Sequence, residues 1–429
     1  MKKFLLLKLK MLTQRILAKY NPTVVGVTGS VGKTTTKEAI YTVLSSRFRV
    51  RKSIKNYNNE IGVPLSVIGA EAPGRSLWGW LKVFVKAWKL IIFKDKNFPE
   101  ILVLEMGVDR PGDMDYLISM VRVDIGVITS IGASHLEYFK SLDKIAREKG
   151  ALVRNLKRGG HAVLNFDDER VKGVADTLTS RVVTYGFKEG AAVKAQNLIF
   201  SFEDQEKIYD LAGVSFKMNY NGSVVPVKLS RVLGYPAIYS SLAAASVGIA
   251  MNMNLVDISS ALNNFSLPPG RMNLIKGVKH TMIIDDTYNA SPQSSFSAIE
   301  FIEKLPSGKN TKWAVFGDML ELGNYSEKGH REVGEALVRA GFDKIVTVGE
   351  RALDIAHGAQ AAGLKKDDLY HFSHTDEAGK FIQGRIEPGD LLFIKGSQGA
   401  RMERVVRELM ADPLNAKYLL VRQGEEWES

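Results

Sequence analysis

Residues 26–34 read Gly-Val-Thr-Gly-Ser-Val-Gly-Lys-Thr and lie between a short β-branched run at 23–27 and a helical pattern at 35–45. No other stretch restricts the fold as strongly. Glycines between a strand and a helix let backbone N–H groups turn inward around an anion, and the helix N-terminus adds the positive end of its dipole. Lys33 is then a mobile charge for the outer phosphates of a nucleotide, and Thr34 a hydroxyl for magnesium. The strict G-x-x-x-x-G-K-[ST] spacing would place glycine at Val27, so this loop is a variant. The competing reading is a glycine-rich turn with an incidental lysine, and the strand–loop–helix context argues against it.

Similar strand signatures recur at 101–104, 125–128 and 161–164, with helical patterns between several of them. That alternation predicts a mostly parallel sheet covered by helices. Residues 181–229 differ: short strand patterns at 182–185, 214–218 and 224–227, with the turn signal Asn221-Gly222, predict a small antiparallel appendage. A long alanine-rich helix follows at 240–251. Pro268, Pro269 and Gly270 stop a helix and mark a boundary. Beyond them, strand patterns at 282–285, 313–316, 344–348 and 391–394 predict a second α/β domain. The fold class is therefore α/β, with a central phosphate-loop ATPase domain and a C-terminal Rossmann-like domain. The expected divisions are an amphipathic helix at 1–22, the central domain at 23–268 and the C-terminal domain at 269–429.

Composition narrows the chemistry. The 429 residues include no cysteine, which excludes disulfide scaffolds, thiolate metal sites and a cysteine nucleophile. No apolar run approaches the ~20 residues that span a bilayer. The start, MKKFLLLKLKMLTQR, is broken by Lys8 and Lys10 and lacks a cleavage site, so it reads as an amphipathic helix and not a signal peptide. A cytoplasmic location is the expectation. The net charge of +11 favours anionic partners without choosing among nucleotides, phosphorylated substrates and membrane surfaces. A basic nucleic-acid-binding module is a remote alternative, because the cations are dispersed along the chain.

Two carboxyl-edge positions complement the loop. Glu105 ends the strand pattern at 101–104, where ligands of open α/β sheets bind, and a carboxylate beside a triphosphate is a suitable magnesium ligand. His135 follows the strand at 125–129 and gains interest only through Glu105. In the C-terminal half, DDTYNASP (285–292) closes the first strand and Arg271 follows the Pro-Pro-Gly boundary. An Arg and an Asp there could clamp the phosphate and ribose of a nucleotide; ordinary solvated charges are the alternative.

The chain resembles the Mur ligase family, most closely the type that adds D-alanyl-D-alanine to UDP-N-acetylmuramoyl-tripeptide. The matching pieces are GVTGSVGKTTTKE, NYNNEIGVPLSVI, LEMGVDRPGDM, GASHLEYFKSLDKIAREKG, PPGRMN, IDDTYNASPQS, FGDMLELG with His330 after it, and IKGSQGARMERVV, in family order from Thr23 to about Val406. The resemblance implies an ATP- and Mg2+-dependent amide ligase of peptidoglycan precursor synthesis, working through an acyl phosphate. Its active site would lie in a cleft that closes between the two domains. Gly29, Ser30, Val31, Gly32, Lys33, Thr34 and Thr35 would hold the triphosphate. Thr34, Glu105, His135 and Lys149 would hold metal, Lys149 as a carbamate. The implied catalytic set is Lys33, Glu105, His135 and Lys149. Arg271 and Asp286 would contact phosphate and ribose, and Asn289 the purine side.

The pattern also breaks. The family's UDP-gripping domain needs roughly 80–100 residues before the phosphate loop, whereas residues 1–22 precede the first strand here, so that domain is expected to be missing. This favours a rival acceptor, as in folylpolyglutamate or cyanophycin synthetases. Pro236, Ala237 and Ser240 stand where the family carries a His-Asn pair and a further Asn toward adenine. Finally, residues 78–93 place Lys82, Lys86 and Lys89 on one helical face among Trp and aliphatic residues. Such a helix either packs on the domain or a dimer partner, or lies on an anionic membrane or lipid-linked acceptor. The oligomeric state is open.

Overall fold

Continuous apolar runs become inner strands in the computed structural model, which describes residues 2–54, 57–132, 136–203, 208–305 and 310–424. The chain divides into two compact units. The first comprises Met1–Leu198, Phe216–Lys228 and Pro236–Phe265; the second comprises Ile199–Ser215, Leu229–Tyr235 and Ser266–Ser429.

Strands β1 (Thr23–Thr28), β2 (Val50–Lys52), β3 (Ile101–Glu105), β4 (Ile125–Ile128), β5 (His161–Asn165), β6 (Arg181–Gly186), β7 (Val193–Phe202), β8 (Leu211–Tyr220) and β9 (Ser223–Ser230) form one sheet. Its order is β2-β3-β1-β4-β5-β6-β7-β8-β9. Strand order reverses at β1, since β2 and β3 lie to one side of it and β4 onward to the other. That reversal opens a crevice at the carboxyl edge, where open α/β sheets bind ligands. β1 is parallel to both β3 and β4, with Val27 opposite Glu105 and Val127. Val27 is fully buried, so the position where the strict motif wants glycine is a core strand position.

The expected antiparallel appendage is corrected. Residues 182–185 belong to β6, which is parallel to β5, and β7 is in turn parallel to β6. A short strand pattern specifies which face is buried but not which neighbour it joins. The turn at Asn221-Gly222 does form, with φ of 48° and 79°, as two-residue hairpin turns require. Pro226 sits in β9 at the sheet edge, the place where a missing N–H is tolerated. The helix expected at 240–251 runs from Tyr235 to Ala250, because proline is tolerated in a first helical turn.

The N-terminal helix (Lys2–Tyr20) buries Leu9, Leu12 and Ile16 in the first unit's core, alongside Val63, Leu65, Val83 and Ala87. In the second unit, β10 (Asn273–Lys276), β11 (Met282–Asp286), β12 (Lys312–Gly317), β13 (Lys344–Val348), β14 (Leu369–Phe372) and β15 (Leu391–Lys395) follow the order β10-β11-β15-β12-β13-β14. Only β10 is antiparallel, to β11. Ile283, Trp313, Val315, Leu392 and Ile394 form its core, and the buried Trp313 indole donates to Asp390 at 3.0 Å.

Candidate functional site

β1 ends at Thr28, and the next helix spans Lys33–Ser45. The intervening loop is held by the segment after β4. Ser30 N–H donates to the Ser130 carbonyl at 2.9 Å, Val31 N–H donates to Ser130 Oγ at 3.1 Å, and the Ser30 hydroxyl donates to the Gly132 carbonyl at 3.0 Å. Thr129 Oγ1 donates to the Val31 carbonyl at 2.6 Å. A Cβ on Gly29 would lie 1.9 Å from that Thr129 oxygen, so only glycine fits there. Gly32, at φ 85°, caps the helix without a side-chain bond, and the first turn carries no acidic residue. The positive end of the helix is thus left for an anion.

Four side chains converge at this edge. Lys33 Nζ donates to the Gly29 carbonyl at 2.8 Å. Thr34 Oγ1 donates to Glu105 Oε2 at 3.0 Å. Lys149, from the helix Leu142–Arg154, also reaches the Gly29 carbonyl, at 3.2 Å. The residue is only 2 % exposed. Burial, reinforced by the Lys33 charge and opposed by Asp109 and Glu148, pushes its pKa down to about 7. Near neutral pH the uncharged amine is therefore far more accessible to Lys149 than to an ordinary lysine, which is almost wholly protonated there.

Two partners of Glu105 were not visible in the sequence. Lys37, nearly fully buried, lies 3.6 Å from Glu105 Oε2, and Asn58 Nδ2 donates to Glu105 Oε1 at 3.1 Å. Lys37 falls one helical turn after Thr34, and Asn58 lies in the NYNNEIG stretch. Those positions were the available signals, but only the neighbourhood of β3 gives them a role. Thr35 is buried behind the loop. Thr36 Oγ1 shares a 3.0 Å hydrogen bond with Ser240, so Ser240 packs against the phosphate-loop helix. His135 lies outside the described residues. The donor set of Thr34 hydroxyl and Glu105 carboxylate, both oxygen and both at the loop, fits a small hard cation shared with phosphates.

The second unit gathers its own cluster at the carboxyl ends of β11 and β15. Asp286 forms an ion pair with Lys395, whose Nζ also donates to the Asn289 carbonyl at 3.1 Å. The Arg271 guanidinium lies over the Tyr288 ring, 4.1 Å from its centroid. Arg422 donates to the Tyr288 and Thr287 carbonyls and pairs with the buried Glu403 at 3.0 Å. Asp286, Asn289 and Arg271 thus share one loop region, with Asn289 exposed. Lys395 and Arg422 are the stabilising partners that sequence reading missed. Asp285 is fully buried. Burial pushes its carboxyl up to about 7 despite hydrogen bonds from the Thr287 hydroxyl and N–H. His330 is structural: its Nε2 accepts from Met319 N–H at 3.0 Å, and Nδ1 lies 2.7 Å from the Ser326 carbonyl.

Comparison with known proteins agrees with this layout. The Mur ligase middle domain matches residues 27–74 and 88–247, and the Mur ligase glutamate ligase domain matches 270–398. UDP-N-acetylmuramoyl-tripeptide–D-alanyl-D-alanine ligase of Bacillus subtilis is 31% identical over 407 residues, covering 95% of this chain and 80% of that protein. The structure of MurF from Acinetobacter baumannii superposes with a TM-score of 0.76 at 27% identity, covering 95% of this chain and 81% of that one. MurF ligase from Thermotoga maritima in complex with ADP gives 0.75 at 28% identity, with 94% and 83% covered. The variant phosphate loop, the carboxylate at the end of β3 and the buried lysine behind them therefore sit in a chain that belongs to the Mur ligase family.

Proposed function

We propose that this chain is an ATP-dependent ligase that joins an amine to a carboxylate, with D-alanyl-D-alanine and a muramoyl-peptide as the substrate pair to test first. The observation that carries the reading is the convergence of Lys33, Thr34, Glu105 and Lys149 on one glycine-lined loop. The names of its relatives agree with it.

In this reading the loop N–H groups and Lys33 take the β- and γ-phosphates of ATP. A carboxylate oxygen of the acceptor attacks the γ-phosphorus and ADP leaves, giving an acyl phosphate. The amine nitrogen then attacks the acyl carbon, the nitrogen loses a proton, and inorganic phosphate departs. The carboxylate is a poor acyl donor until phosphorylation supplies that leaving group. Mg2+, when bound, neutralises phosphate charge, and Thr34 and Glu105 would hold it. His135 is retained as a further candidate ligand. Lys149 is assigned the role of the family's carbamate: its neutral amine would add CO2 and release a proton, and the carbamate would offer an oxygen ligand where an ordinary lysine carries a cation. Arg271, Asp286 and Asn289 are assigned to the nucleotide's phosphate, ribose and purine.

The test is an ADP-release assay with Mg2+ across acceptors. Release that needs both an acid and D-alanyl-D-alanine supports the proposal. Release only with single amino acids would move the chain to another acceptor class, and no release with any acid–amine pair would end it.

A further inference from the structure

The helix Leu77–Ile92 packs on the first unit through Val83, Ala87 and Leu90. It is pinned to the N-terminal helix: Lys19 Nζ donates to the Leu90 and Ile91 carbonyls at 3.0 and 2.9 Å, and the Tyr20 hydroxyl donates to the Leu90 carbonyl at 3.0 Å. Packing of this helix on its domain is therefore realised, yet it uses only one face. The opposite face presents Leu77, Leu81, Val85, Trp88 and Ile92, spaced as a single helical stripe, with Trp78 beside it. All are exposed, Leu77 by 83% and Trp78 by 76%. The N-terminal helix adds Phe4, Leu7 and Met11, also exposed. Arg15 lies over the Trp88 ring at 5.8 Å, so the two stripes adjoin. Residues 75–87 also fall between the two stretches that match the Mur ligase middle domain.

Charge says what covers this face. The two helices carry nine lysines and arginines, six in Lys2–Tyr20 and three in Leu77–Ile92, and neither contains an aspartate or glutamate. Lys82 and Lys89 are exposed and flank the apolar stripe. A second copy of the chain would press two such cationic surfaces together. An anionic bilayer surface offers both things the face lacks, an apolar layer for the stripe and negative headgroups for its rim. Tryptophan suits that boundary, having an apolar ring and one N–H. Among the described residues no helix is long and apolar enough to cross a membrane, so the contact is interfacial. We propose that the face built by Leu77–Ile92 and the N-terminal helix docks on anionic phospholipid membranes.

The experiment is flotation of the full chain with vesicles of equimolar phosphatidylglycerol and phosphatidylcholine, against vesicles of phosphatidylcholine alone, at low and high salt. The expected result is binding to the anionic vesicles that salt releases. Lys82→Gln with Lys89→Gln should weaken it about 25-fold, taking roughly fivefold per cation near the surface. Trp78→Ser, Leu81→Ser and Trp88→Ser together should weaken it by at least about tenfold. These side chains are exposed, so an unchanged thermal melt is the control. As a second measurement, brominated acyl chains should quench tryptophan emission, and Trp78→Phe with Trp88→Phe should reduce that quenching while binding persists. No binding at low salt, equal binding to both vesicles, or full binding by the serine variant would overturn the proposal. So would a dimer in the absence of lipid that the serine variant dissolves, which would assign the face to a second copy.

Discussion

Lys33 and Lys149, one on the phosphate-loop helix and one buried on another, donate to the same acceptor, the Gly29 carbonyl, at 2.8 and 3.2 Å. Two cations sharing one carbonyl repel each other, and the buried one yields: Lys149 has its pKa lowered to about 7, first by burial and then by the Lys33 charge. The neutral amine is the form that reacts with CO2. In 13C-bicarbonate near pH 8 the protein is expected to show one carbamate carbon resonance by NMR, absent from Lys149→Arg. Lys149→Ala should lower turnover about 10–100-fold or more, as loss of a group that tunes a metal site does.

The same shift has a consequence for stability. The folded state holds Lys149 with a lower pKa than the unfolded chain, so between about pH 7 and 10.5 the unfolded state binds more protons. Stability due to this residue therefore rises with pH across that window. Lys149→Met, which buries no amine, should melt above the parent protein at pH 6.5, with the gap narrowing as pH approaches 10. A gap that does not change with pH would contradict the burial argument.

Lys33 has a different task. Its mobile ammonium already lies beside the loop that turns around the anion, and charge placed there is worth most in the transition state. Lys33→Ala is expected to reduce ATP turnover about 100–1000-fold without lowering the melting temperature. Activity within twofold of the parent would remove the loop from the mechanism.

How far the sequence discloses this arrangement depends on whether a residue's role is local. The loop from Gly29 to Thr34 was legible because strand, glycines, lysine and helix are consecutive. Glu105 was legible as a strand end. Lys37 and Asn58 were not, since they matter only because β3 places Glu105 between them. Lys395 and Arg422 escaped notice for the same reason: each meets the Asp286–Asn289 loop from far along the chain. The three residues of β2 and the mixed pattern of β7 carry too little periodicity to announce a strand. β6 looked like part of a hairpin group because its own residues do not record that β5 runs beside it in parallel.

Glu105 and Lys37 illustrate the cost of such a buried arrangement. Glu105→Gln keeps the shape but takes one carboxylate from the Lys37 ammonium, almost wholly buried, while Glu38 stays 3.5 Å away. Removing one member of a buried pair costs about 3–5 kcal/mol when the other charge is left uncompensated and less when, as here, a second carboxylate stays beside it, whereas replacing both is often close to neutral. Denaturant unfolding should thus find Glu105→Gln destabilised, by less than that full penalty, and the Lys37→Met, Glu105→Gln double variant largely restored. Additive losses in this cycle would show that the two groups do not interact.

In the second unit, the fully buried Asp285 accepts two hydrogen bonds through Oδ1, both from Thr287, while Oδ2 has no partner. Desolvation dominates, and the carboxyl is raised to about 7 from an ordinary 3.8. Between those values the folded state binds more protons than the unfolded one. Stability contributed by the protonated carboxyl is therefore complete below about pH 4 and lost as pH rises through 7. Asp285→Asn supplies a group that never ionises while retaining an oxygen for Thr287. Relative to the parent protein, the variant should gain stability between pH 5 and about pH 7 and no more above it, roughly 3 kcal/mol in all at about 1.4 kcal/mol per pH unit. Thermal melts of both proteins at the two pH values read this directly. A difference in melting temperature that stays constant, or that moves against the variant at high pH, would mean that Asp285 is already ionised in the folded protein and that its unpartnered oxygen is stabilised by something other than a proton.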